Sequence, residues 1–191
     1  MPLELDARTT ALVVIDLQRG ILEAEREPYS PAEVVQRSAD LARAVRQAGG
    51  QFVLVRVAFA RDYGDTLKQP TDEAVVRPEG GLPDAWSQLA PELDLQPTDL
   101  IITKRQWGAF YGTGLELELR RRGLTTLVLC GIATNYGVES TARDGWERGF
   151  DIVFAEDAMT SSPPGGHAFA VKTVFPRIGR VRSAAEIIAA L

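Results

Sequence analysis

The chain is 191 residues long, with 21 basic and 26 acidic side chains, one Cys and one His. That length fits a single domain, 1–191, with a substantial core. A lone Cys excludes an internal disulfide, and one Cys with one His cannot supply the roughly four N/S ligands of a structural zinc. A net charge of −5 leaves no basic footprint, so nucleic acid is not an expected partner. The opening MPLELDARTT lacks the basic and apolar regions of a signal peptide. No apolar stretch approaches the roughly 20 residues of a membrane span, so a cytoplasmic protein without membrane attachment is expected.

In chain order, Ala11–Asp16 is the first of a series of short β-branched runs and predicts a strand. Ser30-Pro31-Ala32-Glu33 reads as a capping box with Pro at the first helical position. Val34, Leu41, Val45 and Ala48 then recur at helical spacing, and Gly49-Gly50 offers a left-handed stop. Gln51–Val57 predicts the second strand. The segment Ala60–Pro97 has several Pro and Gly and mixed charge. A loop-rich insertion of this length points to a lid or an oligomer contact.

Asp99–Thr103 predicts a third strand. Leu115–Leu119 alternates like a strand, but Arg120-Arg-Arg-Gly123 reads as a cationic last turn and cap, and the position between two strands favours a helix. Thr125–Cys130 predicts a fourth strand, about Tyr136 to Arg148 a helix closed by Gly149, and Asp151–Ala155 a fifth strand. Ile178–Val181 is a sixth, shorter candidate. The strand runs are continuously apolar, as strands covered on both faces must be. Strands interleaved with helices predict an α/β fold with a mainly parallel sheet.

Ligands of open parallel sheets bind beyond the carboxyl ends of the strands. Asp16 ends the first run, Lys104 follows the third, the turn Gly131–Gly137 follows the fourth, and Glu156-Asp157 follow the fifth. An acid and an ammonium there could form a catalytic pair, and backbone N–H groups of the turn could stabilise an oxyanion. Taken by position alone, Asp16 could equally be a turn residue and Lys104 a solvated one.

The segments Ala11-Leu-Val-Val-Ile-Asp-Leu-Gln18, Lys104-Arg-Gln-Trp-Gly-Ala-Phe-Tyr-Gly-Thr113 and Gly131-Ile-Ala-Thr-Asn-Tyr-Gly-Val-Glu-Ser-Thr-Ala142 resemble the isochorismatase-like hydrolase superfamily. The similarity runs nearly end to end, through Phe175–Val181. It implies a three-layer α/β/α sandwich with a six-stranded parallel sheet. In the amidase branch it implies an Asp–Lys–Cys triad, whose first two members match Asp16 and Lys104. The position matching the Cys is Gly137. Cys130 lies seven residues earlier, inside an apolar run where a small buried hydrophobe is expected.

Isochorismatases resemble this arrangement, and cleave a vinyl ether by adding water without a covalent intermediate. By that carry-over Asp16 is the general acid and Lys104 positions substrate or tunes its proton. The Gln that isochorismatases carry after the second strand is absent from Val57-Ala-Phe-Ala-Arg61, leaving Arg61 or Arg105 to hold an anion. The resemblance also implies a cis Ile132–Ala133 peptide aiming amides of Ala133 and position 137 at the oxyanion. Thr134, Tyr136, Trp107 and Phe110 fall near the pocket, although core packing suits Trp107 and Phe110 as well. The only His, His167, lies outside the insertion where nicotinamidases bind metal, so neither metal nor cofactor is expected, and a helical role fits His167. Relatives form dimers or tetramers, which makes a homo-oligomer the expected assembly. Two readings stay open: a cysteine-less hydrolase of a small, polar, anionic molecule, or a pseudoenzyme that binds a ligand or acts in assembly.

Overall fold

The structure is a computed structural model and describes residues 3–73, 75–162 and 164–191. Six strands, β1 (Thr10–Ile15), β2 (Gln51–Val57), β3 (Leu100–Lys104), β4 (Thr126–Ile132), β5 (Asp151–Thr160) and β6 (Arg180–Arg182), form one sheet. Their order is β3-β2-β1-β4-β5-β6, and every pair is parallel. The helices are α1 (Arg19–Leu22), α2 (Pro31–Gln47), α3 (Leu115–Arg121), α4 (Glu139–Glu147), α5 (Gly166–Phe169), α6 (Phe175–Ile178) and α7 (Ala184–Ala189).

The apolar runs are explained by two cores, one on each face of the sheet. Ala11, Val13 and Ile15 of β1 pack with Leu115 and Leu119 of α3 and Ala142 of α4. Leu12 and Val14 face the other way, against Val34, Leu41 and Val45 of α2 and Ile187 of α7. Each fully buried aliphatic side chain contributes about 1.5–3 kcal/mol, which is why the central strands are apolar on both faces. The result is the expected three-layer α/β/α sandwich with a six-stranded parallel sheet.

Local signals agree closely with the helix ends. In α2, Ser30 Oγ accepts from Glu33 N at 3.3 Å while Glu33 Oε2 accepts from Ser30 N at 2.9 Å. Gly49 then takes the left-handed conformation that ends the helix, with φ 84°. The alternating Leu115–Leu119 segment is helical, with Leu115 and Leu119 one turn apart on the buried face.

Two departures matter for function. The fifth strand does not stop at Ala155 but continues to Thr160. Pairing with β4 shifts between Leu129 opposite Phe154 and Gly131 opposite Met159, which leaves an irregular stretch of β5 carrying Glu156 and Asp157. Such bulges re-aim side chains, and this one falls at the carboxyl edge of the sheet. Among its described residues the insertion after β2 has only two short 3-10 turns, Asp84–Ser87 and Pro91–Leu93, yet it is anchored. Gln18, fully buried, accepts from Val57 N at 2.8 Å and donates to Val57 O at 2.9 Å and Trp86 O at 3.3 Å. Any side chain at Gly20 would collide with the Trp86 ring, so the insertion lies directly on the segment following β1.

Candidate active site

Chain order reverses at β1, which lies between β2 and β4, so the crevice of the sheet opens at the carboxyl ends of β1 and β4. Asp16 sits at that point, directly after β1, with a left-handed backbone at φ 54°. Asp is among the few non-glycine residues that accept this region. Its amide continues the ladder by donating to Val55 O at 2.9 Å, which turns the side chain out of the strand and into the crevice. On the other side Gly131 has φ 112°, and a Cβ there would collide with Ile15 O. Glycine is what lets β4 approach β1 closely enough to bring the following turn over Asp16.

Lys104 ends β3, two strands away, and its buried side chain crosses β2. Nζ donates to Asp16 Oδ2 at 2.7 Å and to Trp107 O at 2.8 Å. Asp16 Oδ1 is buried and meets no hydrogen-bond partner among the described residues. Burial pushes the Asp16 carboxyl up to about 6, outweighing the pull of the Lys104 ammonium in the opposite direction. Such a group holds or releases a proton near neutral pH.

The third element is the π-helical turn Thr134–Val138, which leads into α4. The Ile132–Ala133 peptide before it is cis, as the resemblance implied. A Cβ placed on Gly137 would stand 3.4 Å from Asp16 Oδ2 and 3.5 Å from Lys104 Nζ, with Ile15 Cγ2 at 2.9 Å. Asp16, Lys104 and position 137, 121 residues apart at the extremes (137 − 16), therefore converge on one point.

The remaining candidates divide. Tyr136 and Trp107 form an edge-to-face pair with ring centroids 4.8 Å apart, and Trp107 is largely exposed, so they stand at the rim beside Lys104. Phe110 does not line the crevice: it is buried in the core, 5.7 Å from the Phe150 ring and against Gly145. Arg61 is exposed on the insertion and bonded to Asp84 at 3.1 Å, with no contact to the Asp16–Lys104 pair. Arg105 is likewise engaged, donating to Asp65 at 2.5 Å.

Cys130 lies in β4 and faces α2, where its Sγ is 3.5 Å from Ser38 Oγ within the opposite core. Burial pushes its thiol up to about 12, so it stays protonated and inert at neutral pH. His167 is the second residue of α5, a helical position as expected, but it is buried against the turn: its Nδ1 is 2.9 Å from Thr134 Oγ1. Nothing in the local sequence around His167 signals that contact. Among the described residues no group of three or more His, Cys, Asp or Glu could hold a metal ion, and no helix is long and apolar enough to cross a membrane.

Known proteins are similar to this chain over nearly its whole length. A model of the isochorismatase domain matches residues 10–186. The isochorismatase family protein YecD of Escherichia coli O157:H7 is 52% identical over 189 residues, covering 99% of this chain and all of that protein. The ureidoacrylate amidohydrolase RutB of Methylorubrum extorquens is 32% identical over 212 residues, covering all of this chain and 86% of that one. An isochorismatase family structure from Burkholderia thailandensis superposes with a TM-score of 0.92 at 42% identity, covering 100% of this chain and 99% of the other.

Proposed function

This chain belongs to the isochorismatase family, and from that premise we propose that it is a hydrolase of a small, polar, anionic molecule that works without a covalent intermediate. The observation that carries the reading is the convergence of the Asp16–Lys104 pair on Gly137. The amidase branch places a nucleophilic thiol at the position matched by Gly137. Here that position carries no side chain, and the only thiol of the chain lies in the opposite core.

Hydrolysis is then left to a proton donor and water. In vinyl ether hydrolysis the Asp16 carboxyl gives its proton to the terminal vinyl carbon, forming a C–H bond and leaving an oxocarbenium-like centre. The Lys104 ammonium stabilises the carboxylate that remains. Water adds to the cationic carbon and loses a proton to Asp16 or solvent. The hemiketal collapses, expelling the alcohol. Amides of Ala133 and the following turn, at a helical N-terminus, suit an anionic group on the substrate. Trp107 and Tyr136 supply an apolar wall at the rim.

The test is a screen of vinyl ethers, esters and amides with the Asp16→Asn variant as control. Turnover that is lost in Asp16→Asn and indifferent to iodoacetamide supports the reading. Binding of a screened compound in the crevice with no turnover of any of them overturns it in favour of a binding protein that kept the pocket.

A further inference from the structure

Four side chains from separate segments, Thr134 and His167 buried and Glu156 and Tyr29 partly so, form a relay behind the turn Thr134–Val138. Thr134 Oγ1 lies 2.9 Å from His167 Nδ1, and His167 Nε2 lies 3.2 Å from Glu156 Oε1. The Tyr29 hydroxyl, ahead of α2, donates to the same carboxylate oxygen at 3.1 Å. The irregular stretch of β5 aims Glu156 at the imidazole. In a neutral ring, the carboxylate opposite Nε2 favours the tautomer with the proton there, which leaves Nδ1 to accept from the Thr134 hydroxyl.

Hydroxyl, imidazole and carboxylate in this order can activate a nucleophile. Thr134 is fully buried, however, so no substrate carbonyl reaches its oxygen. What the relay can do is hold the turn. Thr134 is next to the cis Ile132–Ala133 peptide and three residues before Gly137, the point on which Asp16 and Lys104 converge. A second tie, between Ser161 Oγ and the Asn135 side chain, holds the same turn independently of His167.

We propose that His167, oriented by Glu156, is a positioning residue of the crevice: by accepting the Thr134 hydroxyl it sets the placement of the Ala133–Gly137 turn against the Asp16–Lys104 pair. This rests on the crevice being the reaction site. It assigns a role to the only histidine of the chain, at a distance from the reacting atoms.

The relay has an asymmetry that the experiment uses. Asn at position 167 places its amide oxygen near the site of Nδ1 and keeps an acceptor for Thr134. Gln places its amide nitrogen near the site of Nε2, keeping the contact to Glu156 and losing that to Thr134. A thiol introduced by Gly137→Cys serves as the probe, read as the second-order rate of alkylation by iodoacetamide, with the urea midpoint of each variant measured alongside. Its reactivity should depend on Asp16, and equal rates with and without Asp16→Asn overturn the site reading and the positioning role with it.

With that dependence established, His167→Ala, His167→Gln and Thr134→Val should each lower the rate by roughly tenfold or more, since misplacement by about 1 Å costs up to about a hundredfold. His167→Asn should restore most of it. Thr134→Val and His167→Gln combined should cost no more than either alone. Equal rates in Asn and Gln variants, or rates unchanged while urea midpoints fall, overturn the positioning role and leave the site reading standing.

Discussion

Lys104 Nζ donates to Asp16 Oδ2 at 2.7 Å, while the other carboxylate oxygen of Asp16 is buried without a hydrogen-bond partner among the described residues. An ion pair built only for stability would satisfy both oxygens, because an unpaired buried acceptor costs about 1–3 kcal/mol. If Asp16 acts as an acid or base, the open oxygen is the one placed to exchange a proton with a bound molecule.

If Asp16 is the proton donor, Asp16→Asn should lower kcat/KM by a factor of about 10² to 10⁴ on any substrate found in the screen. The wild-type profile should fall as pH rises through about 6, where the carboxyl loses its proton. A profile that rises through the same range makes Asp16 a base and refutes the acid role.

The same group shapes stability. Its folded value, about 6, lies above the ordinary 3.8, so between those values the folded chain holds a proton that the unfolded chain has released. The stabilisation is therefore fully present below about pH 4 and is lost as pH rises through 6, a change of at most about 3 kcal/mol. Urea midpoints from pH 4 to 8 should show wild type losing stability relative to Asp16→Asn over that window. A constant difference excludes the shift.

Cys130 should resist iodoacetamide in the native protein and react only when urea opens the core, because it is buried with its thiol pushed up to about 12. Mass spectrometry of the labelled protein reads this directly. Labelling of Cys130 at the rate of a free thiol in native buffer would show its place in the core to be wrong.

Phe110 and Trp107 lie three residues apart and should behave oppositely. Phe110→Ala opens a core cavity and should cost about 3–5 kcal/mol in urea unfolding. Trp107→Ala removes an exposed ring and should leave stability within about 0.5 kcal/mol while raising KM. A KM unchanged by Trp107→Ala removes the rim from the substrate site.

Much of this was legible locally. The β-branched runs, the Ser30–Glu33 capping box and the left-handed Gly49 are properties of a few adjacent residues, and they mark the strands and the ends of α2 without reference to distant parts of the chain. Asp16 and Lys104 could be placed at strand ends because side chains at carboxyl edges of a parallel sheet face one crevice. The glutamine after β1 carries no local signal of its role, and Glu156, although it stands at a strand end, carries none of its partner. Gln18 matters because the insertion folds back onto it, and Glu156 because an irregular strand turns it toward a histidine 11 residues later.

Composition and pattern by themselves pointed to an α/β fold with a mainly parallel sheet and to Cys130 as a buried strand residue, while the six-stranded sandwich and the grouping of Asp16, Lys104 and position 137 came with the family resemblance. Only the tertiary structure decided which neighbours those residues have. It moved Phe110 into the core, took Arg61 to an exposed pair with Asp84, and set His167 against Thr134, 33 residues earlier. The physical reason is the difference in range. A cap or an apolar run is decided by the chain's own next few residues, whereas a hydrogen bond across the ends of β4 and α5 depends on how every crossover between them packs.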